Sequence, residues 1–442
     1  MTTSNDRFEQ SRLLCNASAH LSRRTLLGAG GGSLMMSILA SRLARADERG
    51  ETDPAKPKSV ILVWLEGGPS QLETFDPHAG TKIGGEVTAI ETSVKGLQIA
   101  DTLPHVAQYM HLGSLVRSVT GKEGDHERAI YNVRTGFRPD PTLIHPGIGA
   151  ALCQATSDGL DIPRHVSIFP GQFASRGGFL GAAYDPFKIN DPGGSVPDVR
   201  SYLEPDRFDR RIEDIALVEK QFAAGRLRDL DRSRTLHQTA TTAALKMMSS
   251  DQLDAFDVTN ESATVQESFG DTPFGRGCLA AARLIEVGVR CVEVTLTGWD
   301  SHVANHSLQS SSCKVLDVAL ASLLARLQER DMLDHTLVVC GGEFGRTPKI
   351  NAAEGRDHWP HGFSTFLAGC GIRQGHVHGA TASDPDLESD RPLDNVAEPV
   401  TVGDLHATIL KSVGVPFDEE LDTPIGRPMK RSDGQPIQAI LA

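Results

Sequence analysis

Short apolar runs alternate with longer amphipathic segments along most of the chain. Continuous apolar runs, typical of strands covered on both faces, occur at residues 59–65, 289–296, 336–340 and 363–367, with shorter ones at 115–119 and 166–169. Apolar residues at helical spacing predict helices over residues 127–134, 273–288, 307–330 and 404–413. This alternation predicts an α/β fold built on a doubly wound, mostly parallel sheet.

Residues 198–257 interrupt this pattern. They are rich in Arg, Asp, Leu and Ala, and no glycine lies between Arg226 and Asp251. Such a segment predicts two or more amphipathic helices. We interpret it as a helical insertion or cap within an α/β domain that extends over residues 59–442.

The N-terminal segment is typical of a targeting signal. Ser22-Arg23-Arg24-Thr25-Leu26-Leu27 is a twin-arginine pattern, an apolar, Gly-rich run follows over residues 27–40, and Ala44-Arg45-Ala46 fits a cleavage site. We therefore predict a twin-arginine signal peptide over residues 1–46, a linker over residues 47–58, and export by the twin-arginine machinery to the periplasm or cell envelope of a bacterium. The apolar run is too short for a stable membrane span. The alternatives are a disordered basic tail and an uncleaved signal anchor.

Charge limits the classes of partner. The formal net charge is −13; residues 1–46 carry +4, so the remainder carries −17. An acidic body argues against nucleic acid as a partner, because phosphate binding needs clustered Lys and Arg. The six cysteines after the signal include no Cys-x-x-Cys pair, which argues against a zinc ribbon or a thioredoxin-like site.

Candidate metal ligands stand beside the predicted strands. Glu66 ends the first strand, Asp300 and His302 follow a later one, Glu343 follows the next, and Asp357 and His358 precede the strand at 363–367. Open α/β sheets place their sites at the carboxyl ends of strands, where such side chains meet. These six residues therefore predict a site for a divalent metal, Zn²⁺, Mn²⁺ or Ca²⁺. The alternatives are a turn or helix-capping role for Asp300 and a structural hydrogen-bonded pair for Asp357 and His358.

Five motifs carry a family resemblance. They are Leu-Glu-Gly-Gly-Pro-Ser-Gln-Leu-Glu-Thr-Phe-Asp-Pro (65–77), Gly-Trp-Asp-Ser-His (298–302), Gly-Glu-Phe-Gly-Arg-Thr-Pro (342–348), Gly-Arg-Asp-His-Trp-Pro (355–360) and Asp-Leu-His-Ala-Thr-Ile (404–409). Together they resemble the DUF1501 family of exported bacterial proteins, which is distantly similar to the alkaline phosphatase/sulfatase superfamily. The resemblance implies an alkaline phosphatase-like fold and metal ligands at Glu66, Asp300, His302 and His358.

Two departures from the superfamily pattern stand out. The nucleophile position, nine residues before Thr135-Gly136, holds His126 rather than Ser, Thr or Cys, and Phe344 follows Glu343 where a His or Asn is usual. A covalent phospho- or sulfo-enzyme mechanism is therefore disfavoured.

The functional prediction is an exported, metal-dependent hydrolase of sulfate or phosphate esters that uses a metal-bound water. His126 or Glu343 would act as general base, and Arg128 or Arg346 would bind the anionic group of a small-molecule or glycan ester. The rival hypothesis is a non-catalytic binding or assembly protein on a degenerate sulfatase-like scaffold. A mutase is a third hypothesis, and the absence of a Ser or Thr phosphate carrier argues against it.

Overall fold

The structure, a computed structural model, describes residues 58–156, 159–194, 196, 199–224, 236–387 and 389–442. Among these residues, nine strands form one sheet. In chain order they are β1 (Ser59–Glu66), β2 (Gly113–Thr120), β3 (His165–Ile168), β4 (Phe187–Ile189), β5 (Cys291–Thr297), β6 (Thr336–Gly341), β7 (Phe363–Gly369), β8 (His376–His378) and β9 (Val400–Thr401). Their spatial order is β8-β2-β7-β6-β1-β5-β3-β4, and β9 also pairs with β2. Only β7 runs antiparallel to its neighbours within this described sheet. The predicted α/β fold with a mostly parallel sheet is confirmed.

Helices cover both faces of this sheet. They are α1 (His126–Thr135), α2 (Ile148–Ala155), α3 (Pro205–Ala224), α4 (Leu236–Met248), α5 (Ala263–Ser268), α6 (Pro273–Glu286), α7 (Asn305–Glu329) and α8 (Val402–Ser412). Side chains of β1 alternate between two cores: Ile61 and Val63 belong to the core with α6 and α7, and Val60 to the core with α2 and α8. Burial on both faces explains why β1 reads as a continuous apolar run.

Local signals set the ends of the helices that matter most for the site. Asp125 caps α1 by accepting a hydrogen bond from the backbone N–H of Arg128, and Gly136 ends the helix in the left-handed region at φ 78°. Thr401 and Asp404 form a reciprocal capping box at the start of α8.

Four small antiparallel pairs lie outside the main sheet, and one of them supports the site. They are Ala89–Glu91 with Gln98–Ala100, Gly345–Arg346 with His358–Trp359, Ala380–Thr381 with Val396–Ala397, and Glu420–Leu421 with Met429–Lys430. The pair that joins Gly345–Arg346 to His358–Trp359 brings the segment after β6 beside the segment before β7. The 3-10 segments are Val106–Leu112, Gly178–Leu180, Ala182–Tyr184, Asp251–Phe256, Val258–Asn260, Pro392–Asn395 and Gln438–Ile440.

Tight backbone contacts close the carboxyl edge of the sheet around β1. A Cβ on Gly67 would lie 2.6 Å from the backbone nitrogen of Asp300, and one on Gly68 would lie 2.5 Å from the ring of Phe344. Both glycines also have positive φ angles, 120° and 77°. Glycine is required here because the loops after β5 and β6 press against the turn that follows β1.

Several predictions concern segments that the structure does not test. The predicted signal peptide (1–46) lies outside the described residues, as does all of the predicted linker except Lys58. Helices α3 and α4 fall within residues 198–257, but the role of this segment as an insertion or cap stays a prediction. Within the described part of the chain, no helix is long and apolar enough to cross a membrane.

Candidate metal centre

Three histidines and one aspartate converge beyond the carboxyl edge of the sheet: His126, Asp300, His302 and His358. His126 Nε2 lies 3.5 Å from Asp300 Oδ2, and His358 Nε2 lies 3.5 Å from Asp300 Oδ1. His302 Nε2 lies 3.2 Å from Asp300 Oδ1 and 3.0 Å from His358 Nε2. Ligand atoms of His126, Asp300 and His358 all lie within 4.8 Å of one another. Four side chains from three separate segments thus face one small volume.

Each of the three imidazoles is held through its other nitrogen. His126 Nδ1 is 2.8 Å from Glu343 Oε1, His302 Nδ1 is 2.7 Å from Asp357 Oδ1, and His358 Nδ1 is 2.7 Å from the carbonyl oxygen of Gly124. Because carboxylates and carbonyls can only accept, each neutral ring donates from Nδ1 and leaves the Nε2 lone pair directed at the centre. Histidine ligands of protein metals are usually oriented in this way.

The donor atoms fit a single transition-metal ion. His126 Nε2 is buried and has no hydrogen-bond partner among the described residues, so its lone pair is available. Bonds of ~2.0–2.2 Å in tetrahedral geometry place neighbouring ligand atoms ~3.3–3.6 Å apart. The distances to Asp300, from 3.2 to 3.5 Å, are close to this spacing. The residues present therefore fit a bound cation.

Glu343 supports His126 from inside the protein. Its Oε1 accepts from His126 Nδ1 and from the backbone N–H of Gly67 at 2.9 Å, and its side chain is fully buried. The hydrogen bond that His126 donates to Glu343 is the main reason that the pKa of His126 lies above its ordinary value. Glu343 Oε2 is buried without a hydrogen-bond partner in the described chain. The geometry makes Glu343 an orienting partner of a ligand histidine.

Arg346 supports Asp300 in the same manner. Its Nη2 donates to Asp300 Oδ1 at 2.7 Å and to the Gly67 carbonyl, and its Nε and Nη1 donate to the carbonyls of Gly68 and Arg356. Burial raises the pKa of Asp300, but the hydrogen bond and charge of Arg346 outweigh it, so the pKa lies below its ordinary value. Since the Arg346 side chain is fully buried, it is not placed to fork onto an external anion as the sequence suggested.

Two other predicted site residues make their hydrogen bonds outside the convergence. Glu66 Oε1 accepts from the backbone N–H of Gln172 at 2.9 Å, so its side chain follows the loop after β3. Arg128 is paired with Glu123, at 2.6 Å from Nε and 3.2 Å from Nη2. The structure thus gathers His126, Asp300, His302, His358, Glu343, Asp357 and Arg346, and leaves out Glu66 and Arg128.

The site also depends on features that the sequence prediction missed. Phe344 cannot bind a metal, but its ring centroid lies 5.0 Å from that of His126 and 4.4 Å from that of His358, so it walls the site. The carbonyl of Gly124, which orients His358, had no recognisable sequence signal. Ser70, a hydroxyl in the turn after β1, is fully buried and donates to Glu73. The capping alternative for Asp300 is not observed, since α7 begins at Asn305 after Ala304.

Comparisons with known proteins agree with the sequence resemblance. The model of a family described as "Protein of unknown function (DUF1501)" matches residues 57–441. No curated protein matches the sequence.

Solved structures with a similar course of the chain come from several bacteria. A protein in the alkaline phosphatase superfamily from Vibrio parahaemolyticus is 13% identical, with 88% of this chain and 71% of that chain covered and a TM-score of 0.37. The PsFucS1 sulfatase from Pseudoalteromonas sp. is 12% identical, with 87% and 72% covered and a TM-score of 0.38. The C-terminal periplasmic domain of EcEptC from Escherichia coli, in complex with Zn, is 11% identical, with 87% and 92% covered and a TM-score of 0.38. With TM-scores below 0.5, the activity of this chain has to be inferred from its own site.

Proposed function

The chain belongs to the DUF1501 family, and from that premise we propose that it is an exported, metal-dependent hydrolase of sulfate or phosphate esters. The observation that carries the proposal is the set of three Nε2 lone pairs that meet at Asp300, each fixed by a hydrogen bond at Nδ1. Histidines that bind a metal are commonly held in this way at their other nitrogen, and this likeness supports a cation at the centre.

The donor set selects the class of metal. Three imidazole nitrogens and one carboxylate suit Zn²⁺ or Mn²⁺, whereas Ca²⁺ prefers six to eight oxygen ligands. His126, Asp300, His302 and His358 would hold the ion, with Glu343 and Asp357 behind two of the histidines. Such an ion supplies a Lewis acid that lowers the pKa of water toward ~7 and makes it a nucleophile at neutral pH.

One side of the site is open to a substrate. The side chains of Asp300, His302 and Asp357 are 48%, 45% and 57% exposed, whereas Glu343 and Arg346 close the opposite side. An ester therefore approaches past His302 and Asp357. Asp357 is the accessible carboxylate, but it bonds His302 Nδ1 on the side away from the centre, so we propose that it orients His302 and does not take a proton from the attacking water.

The local charge favours an ester group with a single negative charge. Asp300, Glu343 and Asp357 contribute three negative charges, and Arg346 contributes one positive charge. A divalent cation would bring this set to neutrality, so no surplus positive charge would remain for a dianion. A sulfate ester or a phosphodiester matches this balance better than a phosphate monoester does.

The alternative is a non-catalytic binding protein that keeps a structural metal. This alternative is favoured by the residue at position 126, which is a histidine that faces the metal centre, where a Ser, Thr or Cys would supply a nucleophile. The accessible face beside His302 argues against it, because structural metal sites are closed by their ligands.

The experiment combines metal analysis with assays on aryl sulfates, aryl phosphates and aryl phosphodiesters. We expect about one zinc or manganese ion per chain, and turnover that is abolished by chelation and by His302→Ala. His111→Ala, at a half-buried histidine that bonds Ser93, is the matched control and should retain both metal and turnover. Metal-free, inactive wild-type protein would contradict the proposal, and metal-loaded but inactive protein would favour the binding-protein alternative.

Export by the twin-arginine route to the cell envelope is part of the proposal. Its support is the order of Arg23-Arg24, the apolar run and Ala44-Arg45-Ala46 in the sequence. Residues 1–46 fused to a folded reporter should deliver it to the periplasm, and replacing both arginines by lysine should retain it in the cytoplasm. Export of the variant at the wild-type level would contradict this route.

A further inference from the structure

A large groove is lined by two chain segments that also contribute to the metal centre. It has a volume of about 870 Å³, and its lining includes Gly121, Lys122 and His361. The backbone N–H of Gly121 donates to the carbonyl of Pro360 at 2.7 Å, and the same loop provides the Gly124 carbonyl that holds His358. The loop over residues 121–125 and the segment over residues 358–361 therefore border both the groove and the metal centre.

The groove combines apolar surface with charged groups of both signs. Its basic residues are Lys122, Arg138 and Arg391, and its acidic residues are Asp390, Asp394, Asp404 and Asp433. The formal charge of these seven groups is −1, since burial lowers the pKa of His361 and favours its neutral form. Two of the charges are fixed in place: Arg138 Nε donates to Glu123 at 2.5 Å, and Asp404 Oδ1 accepts from the backbone N–H of Gln435 at 2.7 Å.

This lining excludes two classes of ligand. A densely anionic chain needs clustered positive charge, but the groove is slightly negative and residues 47–442 together carry −17. Phe137 and Leu393 supply apolar surface, but an apolar ligand would also cover the charged groups without forming hydrogen bonds to them, which is costly. Hydroxyl groups both donate and accept hydrogen bonds, so they match interspersed carboxylates and basic groups.

We propose that this groove binds an uncharged, polyhydroxylated chain, that is, an oligosaccharide with few or no charged groups. The inference rests on the proposed function: the chain lies in the groove and presents one isolated ester to the metal centre. The volume falls within the ~300–1,000 Å³ typical of ligand sites. The inference deepens the functional proposal, because it names sparsely substituted glycans, and not polyanionic ones, as the substrate class.

The test measures binding of two sets of oligosaccharides by calorimetry. The first set is neutral (cello-, xylo-, malto- and agaro-oligosaccharides of four to six sugars), and the second is polyanionic (chondroitin sulfate and heparin fragments of the same length). We expect saturable binding of at least one neutral series, with polyanions at least tenfold weaker. Equal or tighter binding of the polyanions, or no binding of any neutral series, would overturn the inference.

A variant pair locates the binding. Arg391→Ala with Asp394→Ala removes one charge of each sign from the groove, and we expect at least tenfold weaker binding of the neutral ligand. The matched control is Arg330→Ala with Glu286→Ala, an exposed ion pair at 3.1 Å outside the groove, which should bind within twofold of wild type. Unchanged binding by the groove variant would refute this location.

Turnover separates this inference from the proposed function. His302→Ala should bind the neutral oligosaccharide like wild type while losing hydrolysis of the aryl ester. If wild-type protein binds the oligosaccharide but hydrolyses none of the aryl esters, the hydrolase proposal fails and the groove assignment stands. If it hydrolyses an aryl ester but binds only polyanions, the reverse holds.

Discussion

Two clusters in this protein contain the same kinds of side chain but differ in what their atoms contact. The metal centre joins His126, Asp300 and His358, and a second cluster joins His165, Cys291 and Glu293; in both, the ligand atoms lie within 4.8 Å of one another. The second cluster is fully buried. Its Glu293 accepts from His165 Nε2 and from Arg134 Nη1, each at 3.0 Å.

The comparison shows that the contacts of ligand-type residues decide whether they form a metal site. In the buried cluster, Arg134 already supplies the positive charge: burial raises the pKa of Glu293, but the charge of Arg134 outweighs it and lowers the pKa to about 2. Burial also raises the pKa of the Cys291 thiol well above its ordinary value, so it stays protonated. In the metal centre, the three Nε2 atoms lie close to Asp300, His126 Nε2 has no hydrogen-bond partner among the described residues, and one side is open to solvent. We infer that the buried cluster stabilises the fold and that the metal centre binds the ion.

The largest expected effect is the loss of protein stability when the buried cluster is disrupted. Glu293→Ala leaves Arg134 as an unpaired buried charge, and we expect the free energy of unfolding of the metal-free protein to fall by ~3–5 kcal/mol. Asp357→Ala removes a carboxylate that is also 2.7 Å from a histidine but is more than half exposed, and should cost at most ~0.5 kcal/mol. Urea unfolding measures both, and similar losses would erase the distinction between the clusters.

The next effect is on metal affinity. His358→Ala removes a ligand, and we expect zinc binding at least ~100-fold weaker, or ~2.7 kcal/mol, with little change in the unfolding of the metal-free protein. His165→Ala should do the opposite, keeping the metal content and lowering the unfolding temperature. Competition with a zinc chelator and thermal unfolding measure the two quantities. Loss of metal from the His165 variant would show that the buried cluster also binds an ion.

A smaller effect concerns the pH dependence of stability near the buried cluster. His406 lines a small cavity of about 40 Å³ together with Arg134 and Glu293, and burial lowers its pKa to about 4. The unfolded chain takes up this proton near pH 6.5, before the folded protein does, so the stability contribution is complete above pH ~7 and is lost between pH ~6.5 and ~4.

Between pH 7 and pH 5 we expect His406 to account for a loss of ~2 kcal/mol in the free energy of unfolding. His406→Leu removes this titration, so its unfolding should depend less on pH than that of wild type. Both proteins are compared in urea after chelation, so that metal release does not contribute. Identical pH profiles would show that His406 is not buried in its neutral form.

The smallest effect is expected behind a ligand. Asp357→Asn keeps the size of the side chain but weakens the acceptor for His302 Nδ1, and we expect zinc binding about tenfold weaker. The exposure of Asp357 keeps the effect small, because water replaces part of the bond. Asn351→Asp, at a nearby side chain that bonds the His302 carbonyl, is the control and should leave affinity within about threefold. An unchanged zinc affinity in Asp357→Asn would show that Asp357 does not support His302 as a ligand.

The long elements were predictable because a single physical cause shapes each of them. Strands β1, β5, β6 and β7 are buried on both faces, so their apolar runs mark them within a few residues. The short edge strands β4, β8 and β9 were not predicted, and neither was α2. Two or three residues hold too few side chains to show a period, and their pairing with β2 or β3 defines them instead.

For the site, the sequence by itself determined the chemistry of the side chains beside the strands: Asp300, His302, Asp357 and His358 were identifiable from their types and positions. Only the tertiary structure decided which of the candidates present lone pairs to a common point. That choice depends on hydrogen bonds from distant segments, since Glu343, Asp357 and the Gly124 carbonyl fix the proton of each ring on Nδ1. The tertiary structure also turns Glu66 toward Gln172 and brings His126 into the centre. Side-chain direction depends on packing against distant segments, and no local sequence pattern records that packing.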